Sequence, residues 1–168
     1  VNEHIYSDIA IAPNGNIVAT LSSPFQGVAS TNQPGVYFSN DEGGSWNNIT
    51  PTTLPTDHLR SVVEIAPSNN NSAYILTFTG NFIDQKYDDV RLHKINLSNF
   101  SSDDRSSNLT NFGQDFQYFL FTQNNYNLVM AIKPDDEDYV LVGATSLFRS
   151  TNGFTTKPND ITKDWIGG

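Results

Sequence analysis

The chain has 168 residues, a formal net charge of −9 and no cysteine. Disulfides, a thiolate nucleophile and Cys-ligated zinc are thereby excluded, and the acidity disfavours nonspecific binding to nucleic acid or anionic membranes. Helix formers are sparse while Asn, Ser, Thr, Asp, Gly, Phe and Tyr abound, a composition of strands joined by polar turns.

In chain order, the N-terminus Val1-Asn-Glu-His4 carries neither an initiator Met nor a signal-like segment and reads as an internal starting point. Ile9-Ala-Ile-Ala-Pro13-Asn-Gly-Asn-Ile-Val-Ala-Thr20 then gives an apolar strand, a Pro, a polar reversal and a second apolar strand. Pro is poor inside a strand and suitable just after one, so the unit reads as a β-hairpin. The pattern recurs at Val62–Thr77 around Pro67, and at Leu128–Gly143 around Pro134. Each hairpin is followed by a third apolar segment, centred on Tyr37, His93 and Phe148, at steps of 56 and 55 residues. The prolines step by 54 and then 67, which places an insertion between Gly113 and Asn127.

A repeat of about fifty residues with four short strands is the pattern of a propeller blade. The fold class expected is therefore all-β, with about three four-stranded antiparallel sheets over approximately 5–52, 58–111 and 126–168. Strands are expected near 8–12, 16–22, 35–39 and 45–50; then 60–66, 73–79, 90–96 and 106–110; then 128–133, 139–144 and 146–150. Residues 23–34 and 80–89 read as insertions, and 99–107 as a mobile polar loop. One blade cannot bury both faces of its sheet, and propellers close with roughly four to eight blades. The chain is thus expected to be a single partial domain of a longer propeller, with exposed blade edges prone to self-association. It has no run of about 18 apolar residues that would insert into a membrane.

Two segments follow the third strands. Ser39-Asn-Asp41-Glu-Gly43-Gly-Ser-Trp46 fits Ser-x-Asp-x-Gly-x-x-Trp at every defined position. Ser150-Thr-Asn152-Gly153-Phe154 is a worn copy: Asn replaces Asp, Phe154 takes the Gly position, and no Trp follows at the expected place. The first segment resembles the Asp-box of bacterial-neuraminidase-type repeats, found in sialidases, xyloglucanases, sortilin-like receptors and photosystem II assembly factors. The resemblance implies a structural role at the blade periphery for Ser39, Asp41, Gly43 and Trp46, and a degenerate box at Ser150, Asn152 and Gly153. Asp41 would accept turn N–H groups, Gly43 and Gly44 would permit positive φ, and Trp46 would pack into the seam beside a neighbouring strand. The ending of the chain resembles repeats in large surface proteins of Bacteroidetes-type bacteria, which implies an exported or cell-surface protein.

Chemistry is scarce. Sialidase-like catalysis would need three clustered arginines to grip a carboxylate. Arg60, Arg91, Arg105 and Arg149 are scattered, with Arg105 in a polar loop and Arg149 where the family carries a structural Arg. Other glycosidases need two carboxylates roughly 5–10 Å apart. Asp84, Asp88 and Asp89 share one insertion, and Asp135 to Asp138 read as a solvated turn. His4, His58 and His93 have no metal-ligand spacing, so no metal and no cofactor is expected. Phe112, Phe116, Tyr118, Phe119, Phe121 and Tyr126 form an aromatic cluster. Within it Phe116, Tyr118 and Tyr126 are the candidate ligand platform, buried packing being the alternative. Sequons at Asn48, Asn70, Asn96, Asn99 and Asn108 carry glycans only if the source is eukaryotic. The expected role is a non-catalytic module that scaffolds, or binds carbohydrate or protein. The alternative is part of a sialidase- or xyloglucanase-like glycoside hydrolase whose acid and base lie partly outside the chain.

Overall fold

The computed structural model describes residues 4–24, 33–83, 87–109, 120–123, 125–157 and 164–167. It contains three four-stranded antiparallel meanders. The first is β1 (Ser7–Ile11), β2 (Ile17–Leu21), β3 (Gly35–Ser39) and β4 (Asn47–Asn48). The second is β5 (Ser61–Ile65), β6 (Ser72–Ile83), β7 (Tyr87–Asn96) and β8 (Ser102–Asp104). The third is β9 (Val129–Lys133), β10 (Asp136–Gly143), β11 (Leu147–Ser150) and β12 (Trp165–Gly167). Their first strands lie side by side, β5 between β1 and β9, as blades do around a common axis.

Local chemistry sets each hairpin. After β1, the Ala12 N–H donates to Asn16 O at 2.8 Å, and Gly15 takes φ +88°, which a side chain would resist. After β5, Ala66 N–H bonds to Ser72 O at 2.8 Å. In β3 the alternation is visible in burial: Val36 and Phe38 face the interior while Tyr37 stands on the other face.

Two cores follow. Ala12, Val18, Val36 and Phe38 of blade one pack on Val63, Ile65, Ala73, Ile75 and Ile95 of blade two. Tyr74, Leu76, Phe78 and Leu92, on the opposite face of blade two, pack on Met130, Ile132, Val140, Val142 and Phe148 of blade three. Every residue of β6 from Ser72 to Thr79 is buried, since that strand has a neighbour on each side. Among the described residues, blades one and three are covered on one face only. On β1, Ile9 and Ile11 are 57% and 67% exposed, and on β9 Val129 is 51% exposed.

Three expectations change. The fourth strand of blade two is Ser102–Asp104, paired with His93–Ile95, and not 106–110; Ser106–Asn108 is a 3-10 turn. All three residues of this outermost strand are exposed, so no apolar alternation marked it. The segment expected as a mobile loop is ordered by two Asx-x-Ser turns within it and a third just before it. Asn96, Asn99 and Asp104 each accept the N–H and the hydroxyl of the Ser two residues on. Finally, 80–89 is no simple insertion, because β6 and β7 continue as one hairpin through Phe82↔Asp88 and Ile83↔Tyr87.

Candidate functional site

An up-and-down meander sorts its connections to two ends. One end carries the short turns after β1, β5 and β9, the turns after β3 and β7, and the 150–157 turn after β11. The other carries the β2–β3 connection, the β6–β7 hairpin and the links between blades.

At the turn end, Ser39 Oγ accepts the N–H of Gly43 at 2.9 Å and donates to Asp41 Oδ1 at 2.8 Å. Asp41 in turn accepts the Ser45 N–H at 2.8 Å and the Ser45 hydroxyl at 2.7 Å. These bonds, the Ser45 hydroxyl foremost, lower the Asp41 pKa to about 2. The carboxylate is therefore a turn acceptor, with its oxygens occupied by the loop itself. Gly43 has φ +88° as expected, but Glu42 also sits at φ +60°. Trp46 does not enter a seam. It stays 43% exposed, with its ring 3.7 Å from where a Gly43 Cβ would stand.

The worn copy folds the same way. Ser150 Oγ accepts the Phe154 N–H at 2.8 Å and donates to Asn152 Oδ1 at 2.9 Å, while Asn152 Nδ2 reaches Thr156 Oγ1 at 2.8 Å. Gly153 and Phe154 take φ +61° and +59°, matching Glu42 and Gly43. Phe154 is wholly buried in the core shared with blade two.

Beside it lies an ionic seam that the sequence did not reveal. Arg105, expected in a polar loop, is 8% exposed. Its Nη1 donates to Gly153 O and stands 3.4 Å from Tyr74 Oη. Tyr74 Oη donates to Asp138 Oδ1 at 3.1 Å, and Lys94 Nζ lies 2.8 Å from Asp138 and 3.1 Å from Glu137. Burial raises the Tyr74 hydroxyl to about 12, against the opposing pull of Lys94 and Arg105. Burial pulls Lys94 down, yet its bonds to Asp138 and Glu137 leave it raised. Glu137 and Asp138, expected as part of a solvated turn, thus belong to β10 and clamp blade three to blade two.

At the opposite end, Arg60 Nη1 donates to the carbonyls of Asn125 and Tyr126 at 3.0 and 2.8 Å. Asn125 and Gln123 hold φ of +69° and +51°, and the Asn125 N–H bonds to Thr122 Oγ1 at 2.9 Å. This loop presents Tyr126 at 80% exposure. Of the platform, Tyr126 is thus open to solvent, while Phe116 and Tyr118 fall outside the described residues. Asp89 is held by Arg91 at 2.8 Å and by Thr79 at 3.0 Å; the Asp84 and Asp88 side chains are also outside the described set.

On the innermost strands, Asp8 Oδ2 accepts the Val63 N–H at 3.0 Å, joining blade one to blade two. Burial and then the Asp8 charge raise the neighbouring Glu64 carboxyl. His58 and His93 are 1% and 0% exposed, with ring nitrogens on Pro55 O at 2.8 Å and Thr53 Oγ1 at 2.9 Å. Among the described residues no three His, Cys, Asp or Glu form a metal group, and no helix is long and apolar enough to cross a membrane.

No family model and no curated protein matches the chain. Solved structures do. A GH74 enzyme of Niastella koreensis aligns over 84% of this chain and 19% of its own, with TM-score 0.52 and 15% identity. The GH74 xyloglucanase of Xanthomonas campestris aligns over 94% and 22%, with TM-score 0.53 and 14% identity. At such identities the likeness is one of fold, and the three meanders are propeller blades. The chain spans about a fifth of the solved structures it matches.

Proposed function

We propose that these three blades are a sector of a larger propeller that recognises carbohydrate without hydrolysing it, in a protein working outside the cell or on its surface. The observation that carries this is the contrast in burial between blades. Blade two is enclosed on both faces, whereas blades one and three turn Ile9, Ile11 and Val129 to solvent at blade positions built to be covered. Further blades, or a second copy, would cover them. The carbohydrate reading rests on the fold shared with GH74 enzymes, one of them a xyloglucanase, and on the exposed Tyr126 ring at the loop-bearing end. The extracellular setting rests on the likeness of Ser150–Phe154 and Trp165–Gly168 to repeats of bacterial surface proteins. The lack of catalysis rests on how the carboxylates are used. Asp41, Asp89, Glu137 and Asp138 are each engaged by turn groups or cations.

A glycan-array screen run beside a fluorogenic glycosidase panel tests the reading. Binding without turnover supports it; turnover, or silence in both assays, overturns it. One observation favours the hydrolase alternative: Asp8 and Glu64 sit on adjacent innermost strands, where burial and the Asp8 charge raise the Glu64 carboxyl, the direction a general acid needs. In that case turnover would be present and lost in Glu64→Gln.

A further inference from the structure

A cleft of about 580 Å³ opens at the loop-bearing end between blades one and two. That volume lies within the ordinary range for small-molecule sites. Pro24, Pro55 and Leu59 supply an apolar floor, and Thr56, Asp57 and Asn81 a polar rim. Asp57 is the one ionisable side chain among the described lining residues.

The walls are fixed before any ligand arrives. The 55–60 segment is fastened to blade one by Ser23, whose N–H reaches His58 O at 2.8 Å and whose hydroxyl reaches Asp57 Oδ1 at 2.8 Å. It is fastened to blade two by Leu59 N–H to Phe78 O at 3.0 Å and Phe78 N–H to Arg60 O at 2.9 Å. Beside it β6 breaks register between Phe78 and Phe82, with Gly80 at φ +87°. A Cβ there would stand 3.1 Å from Leu59, so the glycine lets the strand bulge past the cleft floor. Rigid walls lower the ordering cost of binding.

We propose that this cleft binds a neutral pyranose unit of a polysaccharide, an inference that rests on the carbohydrate reading above. A sugar ring offers an apolar C–H face to Pro55 and Leu59 and a hydroxyl edge to the rim. The Asp57 carboxylate accepts hydroxyl hydrogens through strong charge-assisted bonds, and repels acidic sugars in a chain already at −9.

Calorimetric titration with a neutral β-glucan hexasaccharide and a uronic-acid hexasaccharide tests it. The neutral sugar binds, the acidic one about tenfold or more weaker. Thr56→Trp, which fills the cleft, and Asn81→Ala each weaken neutral binding about tenfold or more, while Glu42→Gln, at the opposite end of blade one, leaves it unchanged. Thr56, Asn81 and Glu42 are all exposed, so unfolding midpoints should stay at the parent value. Neutral binding that survives both cleft variants overturns the cleft while leaving the carbohydrate reading intact. Tighter binding of the acidic sugar also overturns it. Failure of both sugars overturns the cleft and the carbohydrate reading together.

Discussion

The turn at 39–46 and the turn at 150–157 share one hydrogen-bond frame and differ in almost every side chain around it. In both, a buried Ser accepts the N–H four residues on and donates to the Asx two residues on. The first turn follows its motif at each position, yet it lies at the surface with Trp46 partly in water. The second has lost Asp, Gly and Trp, yet it sends Phe154 into a core. Phe154 holds a left-handed conformation that a bulky residue ordinarily avoids. Burial of its ring against blade two offsets that strain. The Ser and the Asx define the turn, and the remaining positions are free to serve whatever the turn packs against.

The largest expected break in this comparison is at Phe154. Phe154→Ala should lose about 3–5 kcal/mol of stability by leaving a void between blades two and three. Phe154→Gly should be about 1 kcal/mol less damaging than Ala, since glycine accepts positive φ. Denaturant unfolding of the pair measures both; equal losses would mean the backbone is not strained. Next come the glycines. A Cβ on Gly153 would collide with Tyr74 Oη and stand 2.6 Å from Arg105 Nη1 and Asp138 Oδ1, whereas one on Gly43 meets only open space and Trp46. Gly43→Ala should therefore cost about 1 kcal/mol, and Gly153→Ala about 2–4 kcal/mol through the ionic seam.

Burial lowers both His58 and His93 despite the opposing pull of Pro55 O on the first and Asp104 on the second, so each takes up a proton less readily when folded. The unfolded chain takes up those protons first, so stability is full above the ordinary histidine value of 6.5 and declines as pH falls below it. The midpoint of thermal unfolding should drop between pH 7.5 and pH 5, and His93→Gln should flatten part of the drop. Smallest is Asp41→Asn, which installs the residue the second turn already uses. It should leave stability near neutral pH unchanged. Because the Asp41 pKa is lowered, its contribution is present above 3.8 and lost as pH falls to about 2; the variant should lose that acid dependence.

The inner three strands of each blade were legible because apolar alternation and the Pro-marked turns at 13, 67 and 134 are local signals. The 39–46 turn was legible for the same reason. What escaped notice was set by tertiary contact. Ser102–Asp104 is a strand only because β7 offers it an edge, and its exposed polar residues carry no periodic mark. Arg105, Lys94, Tyr74 and Asp138 meet across 31 to 64 positions of sequence, and no spacing rule connects them. Phe154 looked like a defect in a motif until a neighbouring blade supplied its pocket. The cleft at Asp57 went unread because its walls come from three separate segments.

The central claim is that the outer faces of blades one and three are seams awaiting a neighbour. Sedimentation velocity across a wide concentration range, on the parent chain and on Ile11→Lys, tests it most directly. The parent chain should self-associate as its concentration rises, and the lysine should abolish this without lowering thermal stability. A parent chain that remains a clean monomer at every concentration, indistinguishable from the variant, would contradict it.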